Sequence, residues 1–264
     1  MVDLIETAVD TPLGRISFSE RGAGPVRLGL HSLLTDRRAF DQVAGEWGGR
    51  FISVDLPGFG SSEMAPPSID EYSHRVAALI ETIDLEGEDL TLIGNGLGAF
   101  VALGTAINHG QLVDRLLLIG CGAGFPDPAK DAFTKMTEAV RSGGMEAVIP
   151  IGLLRIFTES YLSEHPEMGE ERAEVLRRTN TEAFVTACTA LASLDYTGRA
   201  PSVTSPTLIV VGEDDQATPP QLAEDLHRLI AGSTLVTMPG MAHAPQLQDP
   251  IGLVDATQRF LEGR

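Results

Sequence analysis

The segment Leu90–Phe100, which reads Leu-Thr-Leu-Ile-Gly-Asn-Gly-Leu-Gly-Ala-Phe, most constrains the fold of this chain. An apolar run ends at Gly94 and helical apolar spacing begins after Gly96, so the pattern predicts a strand, a sharp turn and a helix. Gly94 and Gly98 relieve crowding between strand and helix, and Gly96 at the apex tolerates a positive φ. A buried strand that runs directly into a buried helix indicates an α/β sheet.

Other short apolar runs extend this unit into a sheet. Runs rich in Leu, Ile and Val alternate with helical patterns along most of the chain, which is typical of parallel strands covered on both faces. The first two runs surround a Thr-Pro-Leu-Gly turn and predict a hairpin. We therefore expect a mostly parallel eight-stranded sheet flanked by helices. The predicted strands are Leu4–Val9, Arg15–Glu20, Val26–His31, Arg50–Asp55, Leu90–Gly94, Arg115–Gly120, Thr207–Gly212 and Thr234–Met238.

The alternation of strands and helices stops between about Phe125 and Tyr196, where the patterns are helical. This stretch follows the sixth predicted strand and precedes the seventh. It therefore begins where the carboxyl ends of the strands form the usual binding crevice of an open α/β sheet. We expect residues 125–196 to form a helical lid (cap) insertion, and residues 1–124 and 197–264 to form the core domain.

The charge balance argues against several classes of partner. The 264 residues carry 19 Lys and Arg against 37 Asp and Glu, a net charge of −18. Nucleic acids and anionic membranes attract clustered basic residues, so the chain is expected to bind neither. The stretch Leu90–Val113 has no ionised side chain and is long enough to suggest a membrane span. It contains five glycines and changes its period at Gly94, so a buried strand and helix explain it better.

The cysteines and the first residues bear on the cellular compartment. Cys121 and Cys188 sit in apolar surroundings without metal-ligand spacing, which fits a reducing cytoplasm. The N-terminus has early acids and no apolar run after a basic start, so no signal peptide is expected. We expect a cytoplasmic monomer or homodimer that acts on a small molecule, with no metal and no cofactor.

The glycines of the turn also fit a nucleotide motif. Gly94, Gly96 and Ala99 match Gly-x-Gly-x-x-(Gly/Ala), the dinucleotide fingerprint, which likewise follows a strand and opens a helix. That fingerprint expects an acid at the end of the next strand, whereas Asp114 precedes that strand. Two predicted parallel strands also precede the glycines, whereas a dinucleotide-binding fold usually begins with the strand that leads into its glycine motif. The context therefore disfavours a nucleotide site.

Two later residues complete a catalytic pattern. Asp215 and His243 follow the last two predicted strands, so both lie at the carboxyl edge of the sheet. The glycine turn around Gly96 (the elbow), the acid and the histidine follow one another in the order of a known catalytic triad. Glu213 or Asp214 could supply the acid instead. Asp215 fits best because x-x-Thr-Pro-Pro follows it, and Thr218-Pro219 is expected to open a helix.

The chain resembles the α/β-hydrolases over nearly its whole length, and within them most resembles the 3-oxoadipate enol-lactonase branch. In that superfamily the elbow reads Gly-x-Ser-x-Gly, and Gly96 stands where the nucleophilic serine should be. The resemblance implies an oxyanion hole from the backbone N–H groups of Leu33 and Leu97, and a lid that selects a small, often carboxylated substrate. The resemblance rests on the elbow, on the segments around Asp215 and His243, and on three further segments: His31–Gln42, Asp55–Ser62 and Glu182–Leu191.

Four residues beside these positions are candidates for the substrate pocket: His31, Ser32, Asn95 and Cys121. Ser32 in the oxyanion loop and Cys121 after the sixth strand could also replace the missing nucleophile, as could Ser61 and Ser62 in a glycine turn. A structural role is favoured for each, because Cys121 has the surroundings of a small buried hydrophobe and serines are common in turns and loops.

Three functions remain open. The favoured one is an enzyme that acts on a small carbonyl, ester or lactone substrate, in which the His243–Asp215 pair and the oxyanion hole work without a serine acyl-enzyme. Direct water attack, lyase, decarboxylase or isomerase chemistry would fit it. The second is an ordinary esterase or enol-lactonase-like hydrolase inactivated by substitution at Gly96. The third is a non-catalytic protein that binds a small molecule.

Overall fold

A single eight-stranded sheet runs through the computed structural model, which describes residues 5–263. Its order is β1-β2-β4-β3-β5-β6-β7-β8, with β1 antiparallel to β2, β2 antiparallel to β4, and the other pairs parallel. The predicted hairpin and mostly parallel sheet are confirmed. The strands are β1 (Ile5–Thr11), β2 (Gly14–Arg21), β3 (Val26–Leu30), β4 (Arg50–Val54), β5 (Leu90–Asn95), β6 (Arg115–Ile119), β7 (Thr207–Gly212) and β8 (Thr234–Met238).

The predicted strands differ from the observed ones mainly at their carboxyl ends. Strands β3, β4 and β6 each end one residue earlier than predicted, so His31, Asp55 and Gly120 belong to loops. Strand β5 instead ends one residue later than predicted, at Asn95, and β1 and β2 extend to Thr11 and Arg21. Leu4, the predicted start of the first strand, and the preceding residues considered for a signal peptide lie outside the described residues.

Helices cover both faces of the sheet. Helices α1 and α11 pack together on one face, and α2 packs against α3 on the other. Residues 5–263 also contain four short 3-10 segments, at Arg37–Phe40, Gly110–Leu112, Met145–Val148 and Ala200–Ser202. The α-helices of the described residues are α1 (Asp41–Trp47), α2 (Ile69–Thr82), α3 (Leu97–Asn108), α4 (Asp127–Gly143), α5 (Ile149–Ile156), α6 (Glu159–Glu164), α7 (Pro166–Arg178), α8 (Thr181–Ala192), α9 (Pro220–Leu229), α10 (Pro245–Gln248) and α11 (Pro250–Leu261).

The uncharged stretch Leu90–Val113 contains β5 and α3. Every residue of β5 is buried, and α3 is buried from Leu97 to Ala106 because it packs between α2 and the sheet. Burial on all sides explains the lack of charge in this stretch. No helix in residues 5–263 is long and apolar enough to cross a membrane.

Residues 125–196, between β6 and β7, contain helices α4 to α8. Helix α4 packs against α8, and α7 packs against α5 and α6. An isolated β-bridge between Gly124 and Asp195 joins the two ends of this helical segment. The segment therefore leaves and rejoins the rest of the chain at one place, beside the loops that follow the parallel strands.

Candidate active site

The loops at the carboxyl edge of the sheet bring residues from distant parts of the chain together. Gly96 lies between β5 and α3 with a φ of +53°, a conformation that glycine adopts without strain. Side chains at Gly94 or Gly98 would collide with backbone atoms, of Gly98 and of Leu30 respectively. The three glycines thus allow the sharp turn expected from the sequence. Asp215 follows β7 and His243 follows β8.

Asp215 and His243 form a buried hydrogen-bonded pair. The Nδ1–H of His243 donates to Oδ2 of Asp215 at 2.8 Å, and the residues are 4% and 3% exposed. Glu213 and Asp214 are exposed instead, so Asp215 is the acid that meets the histidine. With Nδ1 protonated and bound, Nε2 is free to accept a proton. The pair therefore has the arrangement of a general base and its orienting carboxylate.

Backbone and hydroxyl groups hold Asp215 in its ionised form. The N–H groups of Ala217 and Thr218 each donate to Oδ1 at 2.8 Å, and the Thr218 hydroxyl donates to Oδ2 at 2.7 Å. Burial by itself would raise the pKa of Asp215, but the His243 imidazole and the Thr218 bonds outweigh it and hold that pKa below its usual value. Helix α9 begins at Pro220 rather than at the predicted Thr218-Pro219, because Pro220 disfavours the helical conformation for the residue before it, and Pro219 is extended with a ψ of 151°.

Asn95, which lies in the interior at the end of β5, holds the loop that carries His243. The Asn95 side-chain amide donates to the His243 carbonyl oxygen at 2.9 Å, and its Oδ1 accepts from Gln246 at 2.9 Å. Gly120 leaves room for the imidazole, since a Cβ there would lie 2.9 Å from its Nδ1. These contacts set the position of the ring relative to Gly96.

The space next to Gly96 is already occupied. A Cβ added to Gly96 would lie 2.5 Å from Nε2 of His243 and 2.5 Å from Oγ of Ser32, closer than side-chain carbons approach such atoms. Ser32 Oγ itself lies 3.3 Å from Nε2 of His243, within hydrogen-bonding reach. The imidazole and the Ser32 hydroxyl thus meet in the volume that a side chain at position 96 would fill.

Two backbone donors border the same point. Leu33 follows Ser32, Leu97 follows Gly96, and both residues line the cavity beside His243. Within residues 5–263, the N–H groups of Leu33 and Leu97 donate to no protein acceptor. Unpaired N–H groups next to a base are suited to stabilise an oxyanion.

The cavity beside His243 has a volume of about 30 Å³, which is the space of roughly one water molecule. Its lining includes the polar side chains of Ser32, Thr218, His243 and Arg155. Two larger surface grooves, of about 790 and 730 Å³, lie beside the helical segment, but neither is lined by Gly96 or His243. The apolar wall of the cavity includes Phe100, Phe125, Phe133, Met136 and Leu191.

Arg155 on α5 adds a positive charge to this apolar cavity. Its guanidinium donates to the Ala217 carbonyl oxygen at 3.3 Å, and no carboxylate of residues 5–263 lies within ion-pair distance of it. Burial lowers the pKa of Arg155, and the nearby charge of Asp215 offsets part of that effect. A half-buried guanidinium without an ion-pair partner is suited to bind an anionic group.

Of the four residues expected to line the pocket, only Ser32 lies in the cavity lining. His31 is fully buried behind it: its Nδ1–H donates to the Ser32 carbonyl oxygen at 2.8 Å, and its Nε2 accepts from Leu56 N–H. Asn95 supports the histidine loop from the interior. Cys121 is buried, its thiol contacts the Gly122 carbonyl oxygen, and burial raises its pKa far above the usual value.

Three contributing residues were not among those selected from the sequence. Thr218 stands inside the motif that follows Asp215, and its hydroxyl could have been read as a partner of the acid. Gln246 and Arg155 carry no local signal, because each acts through a contact with a residue far away in the chain. Within the described residues, no three His, Cys, Asp or Glu side chains are grouped to hold a metal ion.

Comparisons with known sequences match most of the chain to one family. A family model described as "Alpha/beta hydrolase family" matches residues 28–256. A pimeloyl-[acyl-carrier protein] methyl ester esterase of Neisseria meningitidis serogroup C is 30% identical over 250 residues, which cover 89% of this chain and 92% of the relative.

Solved structures show the same fold. An esterase from Thermogutta terrifontis, with malate bound, has a TM-score of 0.88 at 26% identity, and the match covers 98% of both chains. The enol-lactonase from Burkholderia xenovorans LB400 has a TM-score of 0.86 at 22% identity, with 97% of this chain and 98% of that one covered. At the latter identity, the likeness concerns the fold alone.

Proposed function

Because this chain belongs to the alpha/beta hydrolase family, we propose that it is an enzyme that acts on a small carbonyl, ester or lactone substrate. His243 is the general base, Asp215 orients it, and the N–H groups of Leu33 and Leu97 stabilise the oxyanion. The observation that carries the proposal is the 2.8 Å bond between His243 and Asp215, beside a cavity with two unpaired backbone donors. Esterase relatives support it.

The reaction proceeds without an acyl-enzyme at position 96, because Gly96 has no side chain to carry an acyl group. His243 takes its proton from another group in the cavity: a water that attacks the carbonyl carbon, the substrate itself, or a neighbouring hydroxyl. The first course leads to hydrolysis, and the second to lyase, decarboxylase or isomerase chemistry through an enolate. In each case negative charge develops on the carbonyl oxygen, where the oxyanion hole stabilises it.

The alternative of an ordinary serine hydrolase inactivated at Gly96 is less well supported. A serine at this position would bring its Cβ to 2.5 Å from both His243 and Ser32, so it would fit only after both had moved. A site that had merely lost a hydroxyl would be expected to keep room for one. A non-catalytic binder would not need an ionised Asp215 bonded to His243. The presence of this pair therefore favours an enzyme over a binder.

Residues 125–196 serve as a lid over a core formed by residues 1–124 and 197–264. The proposal is supported by the lining of the cavity, to which this segment contributes side chains from α4, α5 and α8. A cavity of about 30 Å³ is too small for an acyl group, so the substrate enters when these side chains move. Arg155 makes an anionic substrate, such as a carboxylated ester, the best match for the lid. The malate bound to the Thermogutta terrifontis esterase is consistent with that charge.

The test is the turnover of a panel of para-nitrophenyl esters, methyl esters of dicarboxylic acids, and lactones. We expect His243→Ala to reduce kcat by about 10²–10⁴-fold, since a positioned base contributes that much. Substrate binding should change far less, because Arg155 and the apolar wall remain. His165→Ala is the matched control, because His165 is exposed and lies outside the cavity.

Equal turnover by wild type and His243→Ala would remove His243 from the mechanism. Tight binding of panel members without turnover by the wild type would favour the non-catalytic binder.

A further inference from the structure

Beyond the base chemistry, we propose that the hydroxyl of Ser32 replaces the missing elbow side chain: Ser32 is the nucleophile that His243 deprotonates, and its Oγ carries the acyl group. This inference rests on the proposed role of His243 as the base. It makes Ser32, His243 and Asp215 a triad whose nucleophile comes from the loop after β3 instead of the turn after β5.

The position of Ser32 Oγ is the first argument. It lies 3.3 Å from Nε2 of His243, and the opposite ring nitrogen is bound to Asp215. The same oxygen lies 2.5 Å from the point where a Cβ of residue 96 would be. Nucleophile, base and orienting acid are recognised by this sequence of contacts, which is often looser before a substrate is bound.

The backbone of Ser32 is held rigidly, as a nucleophile requires. Its N–H donates to the Thr35 hydroxyl at 3.0 Å, and its carbonyl oxygen accepts from His31 Nδ1 at 2.8 Å and from Thr35 N–H at 3.2 Å. Burial lowers the pKa of His31, so the ring is neutral and keeps the tautomer that these contacts need. The loop thus has little freedom to move Ser32 away from His243.

The oxyanion donors also fit a nucleophile at this position. In the usual elbow, one donor is the N–H of the residue that follows the nucleophile. Leu33 follows Ser32, and Leu97 supplies the second N–H from across the cavity. Both are unpaired within the described residues, so moving the nucleophile to residue 32 keeps both donors.

Other candidate nucleophiles are engaged elsewhere or are remote from the base. The Cys121 thiol is fully buried, and burial raises its pKa. The Ser62 hydroxyl donates to the Asp55 carbonyl oxygen at 2.7 Å, and Ser61 is exposed. Within residues 5–263, no hydrogen bond joins either serine to His243. The Thr218 hydroxyl lies 3.2 Å from the opposite ring nitrogen, Nδ1, and donates to Asp215, so Ser32 is the hydroxyl at Nε2.

The chemical steps balance without any other reactant than water. The Ser32 proton passes to Nε2 of His243 as Oγ bonds to the carbonyl carbon, and the oxyanion collapses to break the bond to the leaving group. His243 returns the proton to that leaving alkoxide. A water then gives its proton to Nε2 and attacks the acyl carbon, the bond to Oγ breaks, and Oγ recovers the proton.

The experiment treats the full-length protein with a small methylphosphonate ester of para-nitrophenol and locates the product by peptide mass spectrometry. An activated Ser32 attacks phosphorus, para-nitrophenolate leaves, and a stable phosphonyl group stays on Oγ. We expect the adduct on Ser32 in the wild type, and its loss in Ser32→Ala and in His243→Ala. A serine that only positions the histidine would not be phosphonylated.

Hydrolysis of para-nitrophenyl acetate supplies the second readout. Ser32→Ala should reduce kcat/KM by at least about 10³-fold, since loss of a triad serine costs up to about 10⁶. Ser61→Ala, the same change at an exposed serine, should leave both adduct and hydrolysis unchanged. The Ser32 hydroxyl bonds only to His243 among the described residues, so Ser32→Ala should fold, as thermal melting will verify.

Hydrolysis that depends on His243 but survives in Ser32→Ala, with no adduct on Ser32, would overturn this inference and leave the proposed function standing. An adduct on another residue would overturn it as well. Neither adduct nor hydrolysis in the wild type would overturn this inference, and the proposed function would then be decided by the effect of His243→Ala on the wider panel of substrates.

Discussion

At the scale of single residues, the side chains of His243 and Ser32 occupy the space that a side chain at position 96 would need. His243 and Ser32 both reach into the volume next to the Gly96 Cα, and their polar atoms lie within 3.3 Å of each other. The positive φ of Gly96 keeps the turn without strain. The site is therefore packed around a glycine, and the Ser32 hydroxyl from another loop lies beside the His243 imidazole.

Asp215 should stabilise the fold in a manner that depends on pH. Its pKa is lower in the folded chain than the ordinary value of 3.8, so its contribution is complete above that value. It is lost as the pH falls through the folded pKa. We expect Asp215→Asn to lower the free energy of unfolding by about 1–3 kcal/mol at neutral pH, and the difference from wild type to shrink below about pH 4.

Urea unfolding curves at a series of pH values measure this difference. Asp214→Asn is the control, because Asp214 is an exposed neighbour and should change stability little. A difference between Asp215→Asn and wild type that stays constant down to strongly acidic pH would contradict the assigned role.

At the scale of elements, the strands and the meeting of Asp215 with His243 were predictable from the sequence, and the residues of the cavity wall were not. Apolar runs mark each strand, and Asp215 and His243 follow strand ends, so their meeting at one edge follows from parallel pairing. Neighbouring residues at a strand end point to opposite sides, so proximity alone does not decide which side chains face the cavity. Asn95 and His31 accordingly contact the loops behind it.

The contacts of Ser32 and Arg155 could not be read from local patterns. Ser32 is 211 residues from His243 in the sequence, and Arg155 is 62 residues from Ala217. Neither pairing has a periodic or motif signal, and each depends on how whole elements pack. For the same reason, the sequence favours a structural loop role for Ser32, although in the fold its hydroxyl lies beside the His243 imidazole.

Arg155, on helix α5, is predicted to recognise the charge of the substrate. Arg155→Gln removes the positive charge but keeps a polar side chain of similar reach. We expect it to raise KM for a carboxylated ester, such as para-nitrophenyl hemisuccinate, by about tenfold or more, since charge-assisted hydrogen bonds contribute about 1.5–3 kcal/mol. The KM for the uncharged para-nitrophenyl propionate should change little.

Steady-state kinetics with the two esters give this comparison. Arg141→Gln on α4 is the matched control, because Arg141 is exposed and does not line the cavity. An equal loss for both esters in Arg155→Gln would show that Arg155 supports the packing of the helical segment and does not read substrate charge.

At the scale of the whole molecule, the sheet supplies a frame and the helical segment supplies much of the apolar wall of the cavity. The loops after β3, β5, β6, β7 and β8 meet at one edge, so residues from both halves of the chain form one site. The segment 125–196 contributes apolar side chains and one guanidinium to the lining of the cavity at that edge. The frame holds His243, Asp215 and the N–H groups of Leu33 and Leu97, and under the proposed function the helical wall selects the substrate that reaches them.

The most direct test of the central claim is the ester turnover of Gly96→Ser relative to wild type. If the site works around a glycine, the new side chain collides with His243 and Ser32, and kcat/KM falls. The positive φ also costs a non-glycine residue on the order of 1–3 kcal/mol of stability. A rise in kcat/KM by several orders of magnitude would contradict the account, because it would reveal an ordinary serine hydrolase that had lost its nucleophile.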